Sequence, residues 1–256
     1  MHVPRSLEAY PDLTVFESTG STNDELRAAP DAADFSIAVT DNQTAGRGRL
    51  GRVWVAPPGQ TLAVSVLLRP GLSPEHLGWL PLIAGLAMAR TVQQLLPDAR
   101  VGLKWPNDVQ IDGLKVSGIL AELNGSSDAV IVGAGLNLAI PADQLPTPVA
   151  TSVGLHTHGS GSADPDTALA GYLSELQRLY RAFTAAGGDA EASGIRSALI
   201  EACTTLGLQV RVQLPGDEVL IGVATGIDES GRLLVQEQDG HVQAVAAGDV
   251  THLRYE

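Results

Sequence analysis

The amino-acid sequence predicts an α+β protein: a mixed β-sheet domain with packed helices over residues 1–204, followed by a small β-barrel over residues 205–256. Three observations lead there. As far as about residue 204, apolar runs of strand length alternate with two long stretches of helical periodicity. From Leu206 the texture changes to short alternating strands parted by Pro-Gly, Glu-Ser-Gly and Asp-Gly turns. The chain of 256 residues, 44% hydrophobic and 18% charged, is long enough to bury one large core with a small one beside it.

In order, "TVFE" (14–17) reads as a short strand. "STNDELRAAP" (21–30) reads as a helix capped by Ser21 or Thr22, with Thr22 and Glu25 at capping-box spacing. "SIAVT" (36–40) is a buried strand running into a glycine- and arginine-rich segment, and "TLAVSVLLRP" (61–70) is another, ended by Pro70-Gly71. "LGWLPLIAGLAMARTVQQLLP" (77–97) is a core helix, polar only toward its C-terminus. "VGLKWPNDVQID" (101–112) has strand-like ends around a Pro-Asn-Asp turn. "KVSGILAEL" (115–123) and "AVIVGAGLNLAI" (129–140) are apolar strands. Pro141 to about Pro165, rich in Pro, Thr, Gly and Ser, reads as loop. Leu169, Leu173, Leu176 and Leu179-Tyr180 mark a helix over 166–187, and a weaker helix covers about 191–204. No internal repeat is visible.

The charge balance is acidic, 16 Lys+Arg against 29 Asp+Glu for a formal net charge of −13, which argues against a general nucleic-acid binder but leaves room for one local basic site. A lone Cys203 excludes an intramolecular disulfide framework and any multi-cysteine metal site, and its apolar and small neighbours read it as a buried structural thiol. The N-terminus holds no apolar run of signal-peptide length, and no window approaches about 18 uninterrupted apolar residues. The expectation is a cytoplasmic protein with no membrane segment.

Four stretches combine glycines, fixed cations and polar caps. "STN" (Ser21, Thr22, Asn23) puts short hydroxyl and amide groups at a helix start, which suits a small polar ligand and equally an ordinary N-cap. "TAGRGRLGRVW" (44–54) gathers Arg47, Arg49 and Arg52 among Gly46, Gly48 and Gly51, with Gln43 ahead and Trp54 closing it. Its arginine forks suit carboxylate or phosphate oxygens, and its glycines let backbone N–H groups come close to a ligand. The like charges repel and the glycines lose entropy on ordering, so the segment is expected to be mobile until an anion arrives. "KWPND" (104–108) places Lys104 at a strand end, where a partly desolvated ammonium needs a counter-anion; a snorkelling lysine beside a β-turn is the other reading. "GAGLN" (133–137) carries Gly133 and Gly135 inside an apolar strand, which makes room for a ligand or for tight packing, and Asn137 offers an amide. A dinucleotide-binding GxGxxG reading fails, because the third glycine is missing and no helix pattern follows.

In this order, "STN" (21–23), "QTAGRGRLGRVW" (43–54), "KWPND" (104–108), "KVSGILAE" (115–122) and "GAGLN" (133–137) closely resemble the biotin–protein ligase family, also called biotin–[acetyl-CoA carboxylase] ligase. The resemblance covers about residues 12–190 and continues weakly into "GIDESGRLLV" (226–235). It implies an SH3-like C-terminal barrel and a two-step, ATP- and Mg²⁺-dependent reaction. Biotin's carboxylate is activated as biotinyl-5′-AMP, then passed to a lysine of a biotin carboxyl carrier domain. Carried over by position, Ser21, Thr22, Asn23, Gln43 and the backbone of Gly46 and Arg47 surround the ureido head. Arg47 and Arg49 hold the carboxylate and phosphate end, and Lys104 stabilises the α-phosphate transition state and also contacts biotin. Trp54 lies against adenine and Asn137 hydrogen-bonds it, with Arg52, Asn107 and Lys115 on the adenylate side. Gly118, Gly133 and Gly135 line the pocket. Asp108 and Glu122 match the motifs without an assigned role, and no protein-held metal site is implied.

Some family members begin with a DNA-binding winged helix of about 60 residues. Only about a dozen residues precede the catalytic domain here, so the expectation is a ligase without repressor function and without DNA as a partner; a homodimer is compatible with it. Two other readings compete. A lipoate–protein ligase or octanoyltransferase shares the fold, but its arginine- and glycine-rich signature leading to a histidine-aspartate pair is not found here. A non-catalytic biotin or adenylate sensor would have been favoured by loss of Lys104, which is present.

Overall fold

The computed structural model describes residues 1–54, 56–125, 129–157, 164–214, 218–246 and 249–252. Pro215 and Gly216 of one expected turn, and residues 158–163 of the expected loop, lie outside the described residues.

Seven strands form one mixed sheet in the order β1-β2-β3-β7-β6-β5-β4. They are β1 (Leu13–Val15), β2 (Ile37–Thr40), β3 (Thr61–Leu68), β4 (Val101–Lys104), β5 (Asp108–Ile111), β6 (Leu114–Leu123) and β7 (Val130–Asn137). Only β1 and β2 run parallel; the other pairs are antiparallel. The two faces differ in side-chain size, as a period of two dictates. One face carries Leu62, Val64, Val66, Leu68, Val132 and Leu136, which bury against α3 (Trp79–Leu95) and α4 (Pro165–Ala185) in the main core. The other carries Ala63, Ser65, Gly133 and Gly135. There a second, smaller cluster forms where Leu26 of α2 (Thr22–Arg27) sits on Ala38, Leu67 and Ile131. Beside α2, the small residues leave a shallow floor.

Five antiparallel strands, β8 (Gln209–Gln213), β9 (Val219–Ile227), β10 (Leu233–Gln236), β11 (Val242–Val245) and β12 (Asp249–His252), make the C-terminal sheet in the order β11-β10-β9-β8-β12, the small SH3-like module that the sequence predicts. It is fastened to the N-terminal domain by indole donors, from the start of α3 and from the residue after β4: Trp79 Nε1 to Glu229 O at 2.9 Å and Trp105 Nε1 to Gly231 O at 3.1 Å. The weaker predicted helix is α5 (Ile195–Ala202). Cys203 follows it, buried, and burial pushes its thiol pKa up, as expected of a structural cysteine.

One element was not legible in the sequence. Residues Pro4–Ala9 form a short helix, α1, with no side-chain cap of its own. Asp166, at the start of α4, caps it from a distance of 160 residues. Its carboxylate accepts from Arg5 N at 2.8 Å, Ser6 N at 3.0 Å and Ser6 Oγ at 2.7 Å. Burial raises the Asp166 pKa, but these hydrogen bonds outweigh it and hold the group below the ordinary carboxylate value. Asp166→Ala should therefore lower stability by about 1–3 kcal/mol. Because the folded-state pKa is depressed, this contribution is complete above the unfolded pKa and is lost as pH falls through the folded one. Thermal melts of wild type and variant should converge as the pH drops below about 4.

Candidate functional site

Strand register draws the floor. Directly paired residues point to the same face, and one row runs Thr40, Ala63, Gly135, Gly118, Asp108, Lys104 across six strands. The neighbouring row runs Ala38, Ser65, Gly133, Leu120. Glycines that β-propensity disfavours thus sit together, and the backbone is left bare where a ligand can lie on it.

One wall is the start of α2. Ser21, Thr22 and Asn23 are all buried. The expected side-chain N-cap does not form: Ser21 makes no cap hydrogen bond. Instead Gln43 Oε1 accepts from Thr22 N at 2.9 Å and from Thr22 Oγ1 at 3.2 Å, and Glu25 bonds Thr19 rather than closing a capping box. The "STN" hydroxyls and amide are therefore freed from capping and turned inward. Fully buried Ser65 bonds both Thr22 Oγ1 and Asn23 Oδ1 at 2.6 Å. Sequence reasoning missed Ser65; its only signal was a hydroxyl in the middle of an otherwise apolar strand.

The arginine segment forms a second wall, joined to α2 through Arg47 and Asp24. It is bracketed by Gly48 N to Arg52 O at 2.7 Å and Trp54 N to Gly46 O at 2.9 Å, with a 3₁₀ turn over Arg49–Gly51 at its tip. Gly46 is required for close approach: a Cβ there would lie 2.8 Å from Trp54 O and 2.9 Å from Gln43 Nε2. The sequence suggested three mutually repelling cations with no acid nearby. The fold supplies acids from elsewhere: Arg47 meets Asp24 at 2.5 and 2.8 Å and Glu122 at 3.2 Å. Hydrogen bonding to Arg47 lowers the Asp24 pKa, and that bond likewise raises the Arg47 pKa. Arg49 Nη1 donates to Asn107 Oδ1 at 3.1 Å, and Asn107 in turn clasps β6 through Ile119 O at 2.9 Å. Arg52 is exposed.

Trp54 lies on the glycine row. Cβ atoms at Gly135 and Gly118 would meet its ring at 2.6 and 3.2 Å, and its buried Nε1 has no hydrogen-bond acceptor among the described residues. The cavity left among Ser21, Thr22, Gln43, Trp54, Gly118 and Gly133 is only about 30 Å³, room for about one water. The indole therefore fills part of the space above the floor.

Of the two lysines, the structure brings Lys115 onto the floor and leaves Lys104 two strands out along the same row. Lys115 Nζ stands 5.9 Å from the Trp54 ring centre and beside Gly118. It pairs with Asp108 Oδ1 at 2.6 Å. Lys104, to which the resemblance assigns the α-phosphate, stands beside Asp108 at the outer end of that row. Asn137 is buried at the end of β7, its Nδ2 donating to Thr151 O at 2.9 Å. Trp105 of "KWPND" is no floor residue: it is buried, follows no helix, and leads through a cis Trp105-Pro106 bond into the turn.

Comparisons with known proteins show what the chain is similar to. Residues 14–137 match the biotin/lipoate A/B protein ligase family and residues 205–253 the biotin protein ligase C-terminal domain. A biotin–[acetyl-CoA-carboxylase] ligase of Mycobacterium tuberculosis is 39% identical, over 94% of this chain and 89% of its own. One from Paracoccus denitrificans is 34% identical, over 91% and 97%. The Aquifex aeolicus biotin protein ligase solved with biotin and ATP superposes with a TM-score of 0.78 at 27% identity, covering 96% of this chain and all of that one.

Proposed function

The chain belongs to the biotin–protein ligase family, and from that premise we propose how its residues divide the work. The protein is a ligase that activates biotin with ATP as biotinyl-5′-AMP and transfers the acyl group to an acceptor protein. One observation carries the assignment of residues: a bare glycine row with a buried polar wall at one end and a lysine–carboxylate pair at the other.

In this reading the ureido head lies against Thr22, Asn23, Ser65 and Gln43, with Ser21 and Gly46 completing the enclosure. The valeryl chain crosses Gly133, Gly135 and Gly118, and its carboxylate ends near Lys115. In the first step that carboxylate oxygen bonds the α-phosphorus and the bond to the β-phosphate breaks, releasing pyrophosphate. Carboxylate and triphosphate repel, so Lys115, Lys104 and Arg49 offset the charge that gathers between them. A Mg²⁺ held on the nucleotide's phosphates would offset further negative charge there, and Asp108, the carboxylate on the same row, is the residue that would add a protein ligand to it. Trp54 swings off the floor to admit biotin and then covers adenine, where its Nε1 finds an acceptor, while Asn137 reads the purine edge. In the second step the ε-amine of a carrier-domain lysine bonds the acyl carbon and AMP leaves. Among the described residues, no helix is long and apolar enough to cross a membrane.

The rival within the family is lipoate activation. Lipoate has no ureido group and would leave the polar wall unpaired, at about 1–3 kcal/mol for each buried group. With ATP and Mg²⁺, biotin should support pyrophosphate release and lipoate should fall short by about a hundredfold or more in kcat/KM. Equal turnover of the two acids would overturn the biotin assignment.

A further inference from the structure

Glu122 has no role in the reaction as derived above, yet it is the most connected carboxylate beside the site. Its Oε2 accepts from Asn23 Nδ2 at 2.6 Å and meets Arg27 at 3.0 Å and Arg47 at 3.2 Å. Asp24 holds the same Arg47 through a two-pronged contact and also pairs with Arg27. These five side chains come from three places: α2, the end of β6 and the arginine segment.

The charges explain why the segment sits there. Without Arg47, the two carboxylates face one guanidinium, Arg27, and the cluster is one negative charge out of balance. Docking Arg47 balances it. The counter-anion for the first loop arginine is thus built into the protein. The guanidinium consequently does not reach for a ligand, and what its docking fixes is the backbone at Gly46, which packs on Gln43 and Trp54. Glu122 also fixes Asn23, whose other amide atom is held by Ser65.

We propose that Asp24 and Glu122 are a latch for the arginine segment, and that Glu122 is the positioning residue that ties closure of that segment to the ureido end of the pocket. Arg47 is then the hook of the latch. The inference rests on the biotin-ligase reading for its effect on adenylate, but not for its effect on the free protein.

The test therefore has two arms. In the ligand-free protein, D24N and E122Q should speed hydrogen exchange across 44–48 about five- to tenfold, while melting temperatures stay within a few degrees. In the loaded enzyme both should release biotinyl-adenylate about five- to tenfold faster. E122Q keeps an acceptor for Asn23, so the KM for biotin should rise less than in E122A. In an R47A background E122Q should add nothing further to adenylate loss, because the hook is already gone. Unchanged exchange in the free variants, or an undiminished effect of E122Q in R47A, would overturn the latch. Faster exchange without any adenylate formed by wild type would instead keep the latch and sink the assigned reaction.

Discussion

Lys115→Ala is expected to slow biotinyl-adenylate formation by about 10²–10³-fold, the usual loss when a preorganised charge at a transferring phosphate is removed. The geometry argues for the upper end. Lys115 Nζ stands 2.6 Å from Asp108 and beside Gly118, on the row where carboxylate and phosphate must meet. Alanine removes that cation and also leaves the Asp108 carboxylate facing an incoming triphosphate, so attraction is replaced by repulsion. Lys104→Ala should act in the same direction, since register puts Lys104 next to Asp108 on the same face. Single-turnover pyrophosphate release, with melting temperatures to confirm folding, ranks the two. If Lys104→Ala is the slower, the α-phosphate lies nearer β4 than the floor suggests. Near wild-type rates in both would exclude the row as the site of charge.

What could be foreseen from the sequence follows from range. Strands β3, β6 and β7 and helices α3 and α4 were legible because their apolar periodicity is a local property. The glycines at 133 and 135 were legible as anomalies inside such a strand. Partners distant in sequence were not. Helix α1 is capped by Asp166, the helix start at Thr22 by Gln43, and Arg47 by Glu122, and each partnership is set only once the sheet is paired. The same holds for Ser65, which looks like a neutral interior hydroxyl until register places it opposite Gly133, beneath Asn23. The arginine segment shows the consequence most clearly. In sequence it is a run of unbalanced cations; in the fold its first arginine meets two acids, one 23 and one 75 positions away.

Gly135→Val should abolish biotin binding at micromolar concentrations, a loss of about a hundredfold or more, without lowering the melting temperature. Gly135 lies inside the eight-residue strand β7, and its φ is not in the left-handed region, so a β-branched residue suits its backbone. What valine lacks is space: a Cβ would stand 2.6 Å from two ring atoms of Trp54. Trp54 belongs to a loop and can move aside, so the fold tolerates the change. The ligand cannot move aside, because valine's methyls rise where its chain must lie. Gly133 makes the control. A Cβ there would stand 2.4 Å from Asn23 Oδ1, and Asn23 is held by Ser65 and Glu122 at once. Gly133→Val should therefore lose stability by about 1–3 kcal/mol as well as binding. Isothermal titration with biotin beside thermal melts separates the two cases. Full biotin affinity in Gly135→Val would mean that the ligand does not cross the glycine row, and the site would have to be sought off the floor of β6 and β7.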